Sequence, residues 1–283
     1  MSKPVAVVTD STASLPQDLQ TQYNIHVVPL QVVWNGQSYR DGVDITPEDF
    51  YTRLGTAKTL PTSSQPSAKD FANTFEPLLE AGYDVLTVVI SSKMSGTLAS
   101  AAHAKEMLGA DNIALVDSLS TGMETGFHAL LAARAAADGA SLAECKAIAE
   151  RARDHSGFVL MVPTLEFLHR GGRIGGASRW FGTVLRIKPI LEVRGGRVEP
   201  LEKVRTRRKV IQRMADIVVE RVGDTRPVRL ATLHTGAIEE ARQVQAQLES
   251  RLSPAESLFG MVSPVIGTHV GPDGIGVVYL AGM

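Results

Sequence analysis

One cysteine, Cys145, occurs in 283 residues. A single thiol forms no intrachain disulfide and builds no cysteine-based metal site. Aromatic residues are scarce at 5%, although hydrophobic residues make up 44%, so Ala, Val, Leu and Gly carry the apolar load. Neither sign of charge is in excess: the formal net charge is −1. That argues against a general nucleic-acid binder, which needs a basic face. Long hydrophobic runs are missing too. Stretches such as "VLTVVI" are strand-sized and far short of a membrane span, and "MSKPVAVVTD" lacks the apolar core of a signal peptide. No HExxH, CxxC or Walker-type loop is present, so nothing marks a nucleotide or metal site. These absences predict a soluble, cytoplasmic protein with no stable membrane anchoring and no cofactor.

What is present is an alternation of strand and helix signals. "VAVVTD" reads as a buried strand and "SLPQDLQTQYN" as a helix, with Ser14 as candidate N-cap and Pro16 near its start. "IHVVPLQVVWNGQSY" carries two strand-like runs and an Asn35-Gly36 turn signal. "TPEDFYTRL" starts a helix, with Thr46 as N-cap, Pro47 in the first position and Asp49 three residues on. "DVLTVVISS", "GTLASAAHAKEML", "NIALVDS" and "GMETGFHALLAARAAADGA" read as strand, helix, strand, helix. The pattern predicts an α/β fold whose N-terminal domain, residues 1–156, has a parallel sheet flanked by helices. A smaller C-terminal α/β domain, residues 157–283, is expected to have a mixed or antiparallel sheet, with a hairpin at Gly195-Gly196. No linker separates the two, so they should pack directly and leave a cleft.

Polar chemistry gathers in four hydroxyl-rich stretches near predicted strand-to-helix junctions: "TDSTAS", "TSSQPS", "SSKMSGT" and "DSLSTG". Each alone is explained by helix capping. Together they fall where ligands of parallel sheets bind. Ser95 and Gly96 open a helix whose free amides and dipole favour an anion. His269 lies among four glycines in "IGTHVGPDGIG", which reads as a loop. A pKa near neutrality would let it donate to an anion. "KVRTRRK" sets Arg205 in a basic run at a helix start. "LEFLHRGGRIGGASRWFGTVLRIKPIL" mixes helix formers, paired glycines and Arg170, Arg173 and Arg179, an odd combination for a surface helix.

"VTDSTASLP", "SSQPS", "SSKMSGT", "VDS", "FLHRGGRI", "IKPIL" and "IGTHVGP" occur in the order and spacing of the DegV family, which the chain resembles over essentially its whole length. The resemblance implies a two-domain protein that binds a long-chain fatty acid in the cleft. It also implies a partner, the ATP-binding subunit of a fatty-acid kinase, which phosphorylates the bound carboxylate to an acyl phosphate. The chain itself would then be a binding subunit and not an enzyme. Carried over residue by residue, Ser63 and Ser95 should hold the carboxylate, with Thr62 an alternative because the extra Ser in "TSSQPS" blurs the register. Gly96 and His269 should lie near the head group. Arg205 matches a basic residue of phosphoryl transfer or kinase docking, and Arg170 and Arg173 match the "GGRI" segment, with structural and docking roles. Asp273-Gly274 departs from the family's "GPGA" and sets an acid in the His269 loop.

The physics suits such a ligand. Each buried methylene contributes about 0.8 kcal/mol, so a sixteen-carbon chain offers on the order of 10 kcal/mol gross. Polar groups need only orient and satisfy a carboxylate that is costly to bury unpaired. Two alternatives stay open: a lipid chaperone or regulator without a kinase partner, and a serine hydrolase using Ser95 with His269, Asp10 or Asp117. The hydrolase reading lacks the GxSxG elbow.

Overall fold

In the computed structural model, the described residues are 3–182 and 187–283; residues 183–186 of the glycine/arginine segment lie outside them. The first half runs β1 (Val5–Asp10), a 3-10 turn (Ser11–Ala13), α1 (Gln17–Gln22), β2 (Ile25–Val28), β3 (Gln31–Trp34), β4 (Gln37–Arg40), α2 (Pro47–Leu54) and β5 (Thr62–Ser64). It continues with α3 (Ala68–Glu80), β6 (Asp84–Val89), α4 (Thr97–Leu108), β7 (Ile113–Asp117), α5 (Met123–Ala137) and α6 (Leu142–His155). The second half runs β8 (Ser156–Met161), α7 (Glu166–Arg170), a 3-10 helix (Gly175–Trp180), β9 (Lys188–Arg194), β10 (Arg197–Val204) and α8 (Arg207–Val222). It ends with β11 (Val228–His234), α9 (Ile238–Leu252), β12 (Glu256–Met261), α10 (Pro264–Val270) and β13 (Ile275–Ala281).

Local sequence explains most of these boundaries. Asn35 and Gly36 adopt positive φ of 54° and 79°, the backbone that a two-residue hairpin between β3 and β4 demands. The Thr46 hydroxyl accepts the Asp49 N–H and caps α2. Ser67 and Asp70 form a capping box on α3, as Ser141 and Glu144 do on α6. Ser14 is a correction. It sits left-handed at φ 51°, closing the 3-10 turn that Asp10 caps, and α1 begins after Pro16 with no side-chain cap.

Strands β2-β1-β6-β7 form a parallel sheet, as the alternation predicts. The second sheet, β10-β9-β8-β13-β11-β12, is mixed, because only β11 and β12 run parallel. A third, small sheet, β4-β3-β5, is antiparallel. Helices α3 and α4 cover one face of the parallel sheet through Phe71, Phe75, Ala101 and Ala104. Helices α8 and α9 cover the far face of the mixed sheet.

Between the two sheets lie α5 and α6. Phe127, Leu130 and Ala133 of α5 share one cluster with Val7, Leu86 and Val88 of the parallel sheet and with Phe158, Leu160 and Val278 of the mixed sheet. Ten residues of α5 are buried, which is why its sequence is apolar nearly all round. Strand β8 sorts its side chains by parity. Phe158 and Leu160 face this shared layer, and Val159 and Met161 face α8 and α9.

Because one helical layer serves both sheets, the two halves are expected to unfold together. Phe127→Ala should lower stability by about 3–5 kcal/mol. It should also leave a single transition, coincident by tryptophan fluorescence and far-UV circular dichroism. Two separate transitions would show that the sheets do not share a core.

Candidate functional site

The carboxyl ends of β1, β6 and β7 meet the mixed sheet at one end of the molecule. Asp10 locks this junction. Its buried carboxylate accepts the Ile90 N–H at 2.7 Å and the Thr12 N–H at 2.9 Å. Asp41, pushed up to about 7 chiefly by burial, accepts the Ser11 hydroxyl at 2.7 Å and the Val265 N–H at 3.4 Å. It thereby ties α10 to the end of β1. On its other side α10 packs on α2: a Cβ at Gly267 would lie 2.6 Å from both the Phe50 ring and the Tyr51 hydroxyl. The tip of the β9–β10 hairpin is fastened across the same end, with the Ser91 hydroxyl donating to Gly196 O at 2.9 Å and Lys93 Nζ to Gly195 O at 2.6 Å.

His269 sits in the last turn of α10, not in a loop as its glycine-rich surroundings suggest. Its Nε2 is 2.7 Å from the Ser63 hydroxyl on β5. Its Nδ1 is buried without a hydrogen-bond partner and faces Gly171 at the end of α7, where a Cβ would fall 2.1 Å away. Gly271, at φ 73°, makes the reciprocal approach, its Cβ position lying 2.4 Å from the Phe167 ring. The glycines of both segments therefore let α7 and α10 touch. Arg173 then fastens the end of α7 to the first half, donating through Nε to Met94 O at 3.0 Å and through Nη1 to Gly171 O at 2.7 Å.

Ser95 precedes α4, and its hydroxyl pairs with Thr97 Oγ1 at 2.8 Å. Gly96 is the N-cap and supplies no side-chain cap, so the first amides of this twelve-residue helix are left for another acceptor. The end of the Gln65 side chain lies against Gly96, 2.4 Å from where a Cβ would stand.

Electrostatically the site is one-sided. Burial, reinforced by the Arg173 charge, lowers the His269 pKa to about 4, so its imidazole is neutral at pH 7. This corrects the expectation of a pKa near neutrality. The surrounding cavity, about 170 Å³, is walled by apolar residues, hydroxyls and Gln65; among the described residues its one charged lining side chain is Arg173. Each of the four hydroxyl-rich stretches contributes to it, through Thr12, Ser63, Ser95 and Thr121. The Thr121 hydroxyl is buried with no partner.

Two further spaces adjoin this cavity. An outer vestibule of about 290 Å³ shares Ser63, Arg173 and His269 with it and adds Thr62 and Arg170. An adjoining apolar space of about 20 Å³ shares Phe158, Leu160, Ile266 and Val270. The three form a series running from a cationic mouth to a greasy end. A wider cleft of about 670 Å³ lies elsewhere, with Asp10, Asp41 and Glu48 among its lining residues and no cation, which suits an anion poorly.

Ser63, Ser95, His269 and Arg173 thus line one cavity, and Gly96 stands just outside it, next to Ser95 and against the lining residue Gln65. Thr62 is exposed, opposite Val33 in the small sheet, and reaches only the vestibule. Arg170 is exposed at the vestibule and paired with Glu166. Arg205 is exposed between β10 and α8 and lines none of the three spaces, so it stands apart from the head-group site. Asp273 is exposed as well and turns away from the cavity. Hydrolase geometry is lacking. Ser95 bonds Thr97 and not His269, and the His269 Nδ1 has no carboxylate to orient it. Among the described residues no His, Cys, Asp or Glu cluster is arranged to hold a metal ion. Sequence reasoning missed Thr12 and Thr121, although both lie in stretches it singled out.

The sequence matches the family described as "Uncharacterised protein, DegV family" over residues 4–282. It is 37% identical over 279 residues to a DegV domain-containing protein of Clostridium perfringens, covering 97% of this chain and 98% of that one. A DegV family protein of Thermus thermophilus, whose solved structure is described as showing fatty acid binding, superposes with a TM-score of 0.93 at 34% identity, covering 99% of this chain and all of the other. DegV of Bacillus subtilis, described as a fatty acid binding protein, gives a TM-score of 0.90 at 34% identity over 99% of this chain and all of its own. With its matched length, its shared fold and its motifs in order, the chain belongs to the DegV family.

Proposed function

We propose that this protein binds a long-chain fatty acid in the cavity series and presents the carboxylate, through the vestibule, to an ATP-dependent kinase subunit that converts it to an acyl phosphate. The observation that carries the binding reading is the composition of the main cavity: apolar walls and hydroxyls, with Arg173 the one charged lining residue among the described residues. A carboxylate there meets donors and no repelling charge. The fatty acids bound by the Thermus and Bacillus relatives agree with this reading. In it, residues 1–156 and 157–283 act as two domains facing each other across the cleft, the first contributing Ser63 and Ser95 and the second His269 and Arg173. Among the described residues no helix is long and apolar enough to cross a membrane, in keeping with action in the cytoplasm.

The tautomer of His269 follows from burial. A proton on Nδ1 would leave a donor buried and unpaired, whereas a bare Nδ1 lone pair is less costly. The proton then lies on Nε2 and is donated to the Ser63 oxygen, which turns the Ser63 hydroxyl outward to donate to the ligand. Ser95 and the free amides of α4 supply further donors. The helix dipole adds the favourable potential of a positive end. The tail supplies the affinity, and the head-group residues supply orientation. The vestibule, with Arg170 and Arg173 at its wall, leaves the carboxylate reachable from outside. Arg205, which lines none of the three spaces, is assigned to docking the kinase and not to holding the ligand.

Native mass spectrometry of protein purified from cells is expected to show bound fatty acid, identified after extraction. Ser63→Ala and Ser95→Ala should each weaken binding roughly 10- to 100-fold, the loss of one hydrogen bond to a charged group. A lipid-free protein that takes up no fatty acid would overturn the reading.

The neutral imidazole makes a second prediction. His269 in the free protein should titrate near 4 by NMR. Its midpoint should rise when a carboxylate sits beside it, because a nearby negative charge favours the protonated form. Fatty-acid affinity should then rise as pH falls through the midpoint of the bound state and level off below about 4, where the free protein is protonated as well. An imidazole that titrates near 6.5 in the free protein would contradict its burial.

The kinase role is tested with a purified ATP-binding subunit and ADP release as readout. Arg205→Ala should slow acyl phosphate formation about tenfold or more while leaving fatty-acid affinity unchanged, the size expected for an interface arginine. Arg173→Ala should reduce both. No turnover with any such subunit would leave binding intact and remove the kinase role.

A further inference from the structure

Phe158 holds a position that packing alone does not explain. It stands on β8 between Val193 of β9 and Val278 of β13, it is 5% exposed, and its ring borders both the main cavity and the adjoining apolar space. A glycine lies on each side of that ring. A Cβ at Gly122 would come within 3.2 Å of Cε1, and one at Gly276 within 2.7 Å of Cε2. Gly122 has a φ of 62°, so its backbone accounts for glycine there. Gly276 is different. It sits inside β13, paired with Leu160 and Leu233, and its φ is not positive. Glycine within a strand weakens it and marks the close approach of another group. Here that group is the Phe158 ring.

Beyond the ring the space is lined by Leu233 and Val262 among others and is small, at about 20 Å³. The ring, with Leu160, Ile266 and Val270, stands between the two spaces, and the two glycines hold it in close contact with backbone on either side. Resting on the fatty-acid reading above, we propose that Phe158 is the chain-length determinant of this protein. An acyl chain that fits the main cavity ends against the ring, and the ring bars a longer chain from the space toward Leu233 and Val262.

The test is a panel of saturated acids of about 12, 14, 16 and 18 carbons, the range over which each added methylene contributes its own increment. Dissociation constants are compared for the wild type, Phe158→Leu and Gly276→Ala. Phe158→Leu removes the partition, so affinity for the longest acid should rise relative to the shortest by about fourfold for each further methylene buried. Gly276→Ala pushes the ring out of its slot and should act in the opposite sense, weakening the longest acid about tenfold or more against the shortest, the loss of two buried methylenes. Near-UV circular dichroism confirms that each variant is folded. Equal changes across the panel, or shifts of the same sign in both variants, would overturn the assignment of Phe158. Failure of the wild type to bind any acid would instead overturn the fatty-acid reading beneath it.

Discussion

Two helices must satisfy two sheets at once, and the architecture depends on that constraint. Helix α5 is buried along ten of its residues, and α6 turns Cys145, Ala149 and Ala152 inward while its charged face meets solvent, so small apolar residues fill the shared layer and both sheets close on it. The sheets are thereby held with the carboxyl ends of β1, β6 and β7 against the turns of the mixed sheet. A cleft forms there because the connections at that end are irregular, and irregular backbone leaves gaps that packed strands do not. The walls of the gap inherit the apolar side chains of β8 and of the shared layer.

The polar end of the cleft is built by contacts that only small residues allow. Gly171 and Gly271 bring α7 and α10 together, which places His269 against Ser63 in surroundings dry enough to keep the imidazole neutral. A neutral donor chain, an uncapped helix start and one cation suit a carboxylate without trapping it. Among the described residues, charge is thus confined to one side of the cavity, and apolar side chains line the rest.

Much of this was legible in the residues. The β-branched runs of β1, β6 and β7, the Asn35-Gly36 turn and the Thr46 cap are local signals that tertiary structure left unchanged. The convergence of four hydroxyl-rich stretches was readable because parallel strands share an end. Other features were not. Helix α10 is masked by Gly267, whose presence answers the approach of Phe50 and Tyr51 and not helix propensity. Strand β12 is half-buried along its whole length, so it shows no alternation to read. The choice between Thr62 and Ser63 turns on the pairing of a three-residue strand, too short for its phase to be fixed by pattern. The state of His269 depends on β5 and on the segment that ends α7, both distant in sequence.

Arg173 carries a consequence of its own. An exposed arginine ordinarily surrenders on the order of 2 kcal/mol of side-chain freedom when it first grips a ligand. Here two of its donors are already committed to the carbonyls of Met94 and Gly171. The cation stands in place before any guest arrives, and the mouth of the cleft is preorganised by main-chain oxygens that no substitution of a neighbouring side chain removes.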